Sequence, residues 1–311
     1  MNHNKILKIS IKVATVLLFL CIVLYLTAVS IYTISFNYRC ETHESKAFSM
    51  DDFPTLKREK HSFESMQGHG LVGYLYESSI DVDKRALIVF AHGLGGGGQR
   101  GYIDIFNHLA QSGFYVFAYD ATANDESEGK AIGGLPQGYI DLDYAITYAQ
   151  KLEKTKNLPL VLMGYSWGGL SVTNVLNYHP EAKAVVSFAG WDRSIDIIDH
   201  VGRNIIGDKS GVLLPFVYLH EQLKYGKYAS STSMKGFERS DCRVMIVHGE
   251  LDETIPIGYG YEKYYERYEG DPRFTFKKYD TRGHDVILDS SGSTDMELFS
   301  EVVDFINQSL D

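Results

Sequence analysis

The sequence predicts an α/β fold: a mostly parallel central sheet with helices on both faces, interrupted by one insertion and preceded by a separate apolar helix. Three observations carry this. Runs such as Ala86–Ala91, Tyr115–Tyr119, Leu158–Met163, Ala184–Phe188 and Val244–Val247 are apolar nearly throughout. Unbroken apolar runs of this length mark strands buried on both faces, where a half-exposed strand would alternate. Stretches with helical spacing lie between them, and strand–helix alternation demands a parallel sheet covered by those helices. At 311 residues the chain accommodates one such domain plus appendages.

The first forty residues stand apart. Residues 1–12 form a basic segment in which Lys5, Lys8 and Lys12 have no compensating acid. Val13–Ile34 follows, about 22 apolar or small residues, enough at 1.5 Å per residue to cross a ~30 Å hydrocarbon core. The cationic bias places the N-terminus in the cytoplasm and the rest of the chain outside, as a single-pass membrane protein. Ala28-Val29-Ser30 also satisfies the small-x-small rule of a cleavable signal, so a secreted form cut near Ser30 is the alternative. Apolar residues continuing to Ile34 and Phe36 favour the uncleaved anchor. Residues 35–60 are a charged juxtamembrane linker. Whether Cys40 and Cys242 pair is open, and Cys21 falls inside the apolar segment.

The domain proper occupies residues 61–311. His61–Gln67 and Leu71–Glu77 predict an antiparallel opening pair. Ile103–Ala110 and Pro136–Lys154 predict helices, the second with Ile140, Leu142, Ala145, Ile146, Ala149 and Leu152 near helical spacing. Phe274–Tyr279 alternates like an edge strand, and Glu297–Ile306 closes the chain. Tyr259, Tyr261, Tyr264, Tyr265 and Tyr268 fall on one helix, as expected for packing on the sheet. Residues 191–241 break the pattern: about fifty residues intervene where a simple crossover needs about half that.

Gly164-Tyr165-Ser166-Trp167-Gly168 follows the third of the buried runs and precedes a helical stretch. G-x-S-x-G between strand and helix is a turn so tight that the serine is strained and its Oγ exposed at the sheet's carboxyl edge. An activated serine then needs a base, an orienting acid and donors for an oxyanion. Asp252 lies just past Arg243–Gly249, and His284 sits on the loop after Phe274–Tyr279. Glu250, Glu253 and Asp192, at the end of another strand, remain rival acids. His92 fixes its turn by hydrogen bonding and is not a base, and His248, ending a strand before a glycine, is structural. Asp120, at a strand end, shapes a loop.

Ser166, Asp252 and His284 in this order resemble the triad of the α/β-hydrolase superfamily. H-G-E-x-D-x-x-x-P around Asp252 and G-H-D around His284 are similar to its esterase, monoglyceride-lipase-like and serine-aminopeptidase-like branches. The likeness covers roughly residues 65–308. It implies an α/β-hydrolase fold in which 191–241 is a cap insertion shaping the acyl or leaving-group pocket. It also implies an oxyanion hole from the backbone N–H of Leu94, in the His92–Gly98 turn, and of Trp167.

The resulting expectation is a membrane-anchored, exported serine hydrolase cleaving a carboxylic ester, with no cofactor and no metal. An exported peptidase of aminopeptidase or prolyl type is the second reading. It would capture a peptide terminus with Glu126, Glu128, Asp192 or Glu221. A silent hydrolase-fold binding protein is the third. The partners expected are a small ester or short peptide, and the membrane through the N-terminal helix. The net charge of −10 argues against nucleic acid. The loop Gly93–Gly98 lacks the G-K-S/T ending of a phosphate loop, and His220-Glu221-Gln222-Leu223-Lys224 lacks the second histidine of a zinc helix.

Overall fold

The computed structural model describes residues 3–66 and 68–311. Met1 and Asn2 of the basic segment, and Gln67 at the end of the first predicted strand, lie outside them. The N-terminal helix α1 runs His3–Ser35, and β1 (Leu56–Glu64) pairs with β2 (Gly70–Ser78). Then follow β3 (Ala86–Ala91), α2 (Ile103–Gln111), β4 (Phe114–Asp120), α3 (Pro136–Ala149), β5 (Leu160–Tyr165), α4 (Trp167–Asn174) and β6 (Ala184–Phe188). Helices α5 (Ser194–Ile206), α6 (Leu214–Tyr225) and α7 (Ser233–Arg239) fill the insertion. β7 (Arg243–Gly249), α8 (Tyr261–Tyr268), β8 (Phe274–Tyr279) and α9 (Met296–Leu310) complete the chain.

The sheet has eight strands in the order β1-β2-β4-β3-β5-β6-β7-β8. β1 and β2 join antiparallel, β2 pairs antiparallel with β4, and every other neighbour is parallel. All six residues of β3 and all five of β6 are buried. Successive side chains go to opposite faces. Leu87 and Val89 of β3 pack with Ile140 and Ile146 of α3 and Leu170 of α4. Ile88 and Phe90 pack with Phe106 and Leu109 of α2 and Phe299 and Val302 of α9. Tyr261, Tyr264 and Tyr268 of α8 are buried on the first of these faces.

Three elements differ from the pattern reading. Tyr259 lies in a short turn, Ile257–Tyr259, outside the helix α8 that holds the other four tyrosines. β1 starts at Leu56, five residues early, because its Lys57-Arg58-Glu59-Lys60 stretch is an exposed edge whose charges leave no apolar alternation. α3 stops at Ala149, and Thr155 Oγ1 caps the Ala149 carbonyl at 2.5 Å.

Ile6–Ser35 of α1 is long and apolar enough to cross a membrane. It is exposed from Ile6 to Val23 and half-buried at Leu24 and Tyr25, whereas Ala28 and Tyr32 are buried against α6. Glu221 of α6, wholly buried, accepts hydrogen bonds from Tyr32 Oη (2.8 Å) and Ser194 Oγ (2.9 Å). Burial pushes this carboxyl up to about 7, against the two hydroxyls that favour its charged form. Between about pH 4.5, its ordinary value, and 7 the folded chain therefore holds a proton that the unfolded chain has lost. Stability falls as pH rises through that window. Relative to Glu221→Gln, the wild type should lose up to about 3 kcal/mol between pH 4.5 and 7.5, read as the difference between their denaturant midpoints in detergent. Parallel pH profiles would contradict this.

Candidate active site

β5 is buried along its length and delivers the chain to Ser166. Ser166 has φ 56° and ψ −114°, the left-handed side of backbone space that non-glycine residues avoid. Its N–H donates to the Phe188 carbonyl at 2.8 Å, and its carbonyl accepts from Leu170 N–H at 2.9 Å as α4 begins. The flanking glycines have steric causes. A Cβ on Gly164 would overlap the Gly168 carbonyl, and one on Gly168 would overlap the Ala91 carbonyl at the end of β3. The turn closes only where strand, helix and neighbouring strand touch backbone to backbone.

Ser166 Oγ lies 2.9 Å from His284 Nε2, and His284 Nδ1 lies 2.8 Å from Asp252 Oδ2. A carboxylate only accepts, so Nδ1 carries the proton and donates it, leaving Nε2 to accept from the serine hydroxyl. The other oxygen of Asp252 accepts from the Thr254 and Ile255 N–H groups at 2.9 and 2.8 Å. Burial pushes this carboxyl up, yet His248, His284 and the Ile255 N–H outweigh burial and hold it well below the usual carboxylate range. It is thus an anion beside His284 across the physiological range. Gly249 allows the approach: a Cβ there would run into the Arg282 and Gly283 carbonyls, where the histidine loop crosses the end of β7.

The turn after β3 is held from several sides. Ala121 N–H donates to His92 Nε2 at 3.0 Å, so the ring proton sits on Nδ1, which donates to the Gly93 carbonyl at 2.8 Å. Burial lowers the pKa of this imidazole and keeps it neutral. Asp120 accepts from Gln99 N–H and Glu126 N–H, and burial pushes it up to about 7. The segment after α1 crosses the same turn. Thr42 Oγ1 donates to Asp125 (2.5 Å) and accepts from Gly98 N–H (3.1 Å). Cys40 exchanges backbone bonds with Ala123 and Asp125, and the Arg39 guanidinium donates to the Asp125, Ser127 and Gly129 carbonyls. Among the described residues, neither the Leu94 nor the Trp167 N–H donates to a protein acceptor.

The rival acids lie elsewhere. Asp192 is buried, accepts from Met234 N–H and pairs with Lys263. Glu250 pairs with Lys278, and Glu253 is exposed. Cys40 and Cys242 are both buried free thiols.

Three neighbours carry more of the site than the pattern reading assigned them. His248 Nε2 lies 2.9 Å from the Ile255 carbonyl and 3.2 Å from Asp252 Oδ2, so one N–H serves both ends of the acid loop. The four-residue interval from His248 to Asp252 was its only signal, and that interval spans a turn. Tyr165 Oη donates to Asp285 at 2.7 Å, with its ring 5.4 Å from that of His284. Arg282 donates to the Val286 carbonyl and to Asp295, bracing the histidine loop from beneath.

The family model described as serine aminopeptidase, S33, matches residues 82–197. No curated protein matches the chain. Among solved structures, the esterase Pf2001 of Pyrococcus furiosus is similar with a TM-score of 0.66 at 16% identity, covering 89% of this chain and 99% of that one. The α/β-hydrolase GrgF of Penicillium sp. sh18 gives 0.57 at 16%, covering 82% and 99%. An acylaminoacyl peptidase of Pyrococcus horikoshii gives 0.61 at 18%, covering 81% of this chain and 41% of that one. Sheet order, the strained serine after β5 and these likenesses agree on one architecture: the chain has the α/β-hydrolase fold.

Proposed function

We propose that the chain is a serine hydrolase that cleaves carboxylic esters through an acyl-enzyme on Ser166. The observation that carries the reading is the unbroken relay Ser166–His284–Asp252 at 2.9 and 2.8 Å, built on a strained serine. Ser166 Oγ attacks the carbonyl carbon as its proton passes to His284 Nε2. Asp252 holds the tautomer that can accept and stabilises the imidazolium. Among the described residues the Leu94 and Trp167 N–H groups face no protein acceptor, which suits them to receive the oxyanion; each such donor is worth about 3–4 kcal/mol of barrier. His284 then protonates the leaving alkoxide, and water resolves the acyl-enzyme by the same steps in reverse order.

Esters are favoured over peptides because the acids suited to hold a peptide terminus are engaged. Asp192 and Glu221 are buried and paired, Glu126 binds Lys60 and Tyr74, and Glu128 accepts from Gly70 N–H. The aminopeptidase description of the matching family model keeps the peptidase as the second reading. The protein is membrane-anchored through α1, with the domain outside; Ala28 and Tyr32, on either side of the Ser30 cleavage point, pack on α6, which supports the uncleaved form.

A fluorophosphonate probe should label the wild type near neutral pH and leave folded Ser166→Ala unlabelled. A folded wild type that never labels would mark a silent binding protein. Aminoacyl amides turned over as well as acyl esters would favour the peptidase.

A further inference from the structure

The apolar stripe that seats α1 does not end where α1 leaves it. Ile195 and Ile198 of α5 pack into the α1 contact beside Leu213, Phe216 and Val217 of the α6 region. Continuing along α5 at helical spacing, Val201 and Ile205 hold the same side of the helix as Ile198, but Ile205 is 75% exposed. On the flank of α6, Leu219 and Leu223 are one turn apart, and Leu223 is 70% exposed; Val212 just before α6 is exposed as well. Asp199 and Arg203 of α5 face another side, where they pair with each other, and Arg203 also pairs with Asp208. Helices α5 and α6 therefore each have an apolar side continuous with the α1 contact.

The height of this surface follows from α1. Lys8 and Lys12 mark its basic end. About 20 residues beyond Lys12, the length that crosses a ~30 Å core, the helix reaches Tyr32. That is where Glu221 and His220 of α6 meet it: Tyr32 donates to Glu221, and the His220 ring lies 5.3 Å away, edge-on. The cap docks at the level where hydrocarbon gives way to headgroups. Helices with one apolar and one charged side rest in that zone.

We propose that the apolar side of the cap, formed by Val201, Ile205, Val212, Leu219 and Leu223, lies in the lipid interface beside α1, so that the cap is a second membrane contact. This rests on the reading of α1 as a span. The occupant is a lipid surface because the patch is continuous with a helix that itself needs lipid along its exposed length.

Single tryptophan substitutions in the full-length chain, in nanodiscs with and without brominated phosphatidylcholine, test it; the native Trp167 and Trp191 are both buried. Emission from Ile205→Trp and Leu223→Trp should shift to the blue and be lost to brominated lipid. Lys156→Trp, on an exposed turn before β5 at the amino ends of the parallel strands, should keep its emission. Ile22→Trp reports on α1 alone. Quenching at position 22 with positions 205 and 223 behaving like 156 overturns the cap contact and spares the span. No quenching at position 22 removes the span and the proposal with it. Positions 205 and 223 shielded from aqueous acrylamide but untouched by brominated lipid, in a particle holding two chains, would assign the surface to a second copy and overturn the proposal.

Discussion

Asp252→Asn should lower kcat by about 10⁴-fold, roughly 5.5 kcal/mol of barrier, with KM and fold little changed. The reason lies in which oxygen is replaceable. One carboxylate oxygen faces two backbone donors, Thr254 and Ile255 N–H; the other faces the side chains of His248 and His284. An amide nitrogen set against the fixed backbone donors would leave donors facing donors, so Asn keeps its oxygen there and turns its NH₂ toward His284. That group donates to Nδ1 and drives the ring proton to Nε2, which then faces Ser166 as a donor and cannot take its proton. The check is steady-state hydrolysis of a p-nitrophenyl ester beside circular dichroism. Asp192→Asn, which removes one partner of the Lys263 pair, should move stability and spare kcat. If it proved the more damaging to kcat, the acid would be misassigned. The same carboxylate contributes to acid resistance. Its folded pKa is depressed, so its stabilisation is present above the unfolded carboxylate value and fades as pH falls toward the folded one. Asp252→Asn should flatten that acid limb.

Gly168→Ala should be worse for the fold than any loss of a single core methyl. The added carbon has no free volume: it would sit inside contact distance of the Ala91 carbonyl, with the His92 carbonyl close behind. Both are backbone, so relief requires α4 to move off the sheet, and α4 carries the residue after Ser166. Overpacking costs about 1–3 kcal/mol where side chains can yield, and more where only backbone can. We expect the variant to melt well below the wild type or to fail to accumulate. Gly101→Ala, with only the Lys46 carbonyl within ordinary contact, should melt as the wild type does. Equal melting of both variants would mean the turn at Ser166 is looser than its geometry states.

Buried parallel strands were the easiest elements to read because they must be apolar on both faces, as Ala86–Ala91 and Ala184–Phe188 are. Ser166 and Asp252 were nameable because each follows such a strand at the sheet's carboxyl edge, and His284 because it follows the half-buried edge strand β8; the structure places the three within hydrogen bonding of one another. Illegible parts lacked a periodic signal. β1 spends its middle on charges at an open edge. The Tyr32–Glu221 bond joins residues 189 apart, and nothing local to either predicts it. His248 looked like a structural strand terminus because its second acceptor comes from the folding-back of Asp252. Residues 36–48, part of the stretch 35–60 that reads as a linker, carry no periodic signal because they are held by backbone groups, Thr42 and the Arg39 guanidinium bonding to distant backbone and to Asp125.

That last segment bears on where the polypeptide can be severed. A soluble version beginning after residue 48 would lose Thr42 from Gly98 and Arg39 from three carbonyls, slackening the turn next to Leu94. Starting at residue 36 would retain those bonds but leave Glu221 buried with Ser194 as its remaining hydroxyl partner. Neither cut merely detaches a handle. Kinetic constants from a shortened form would describe a molecule with a loosened turn after β3 or an under-partnered Glu221, so residues 1–311 together in detergent or lipid are the form to assay.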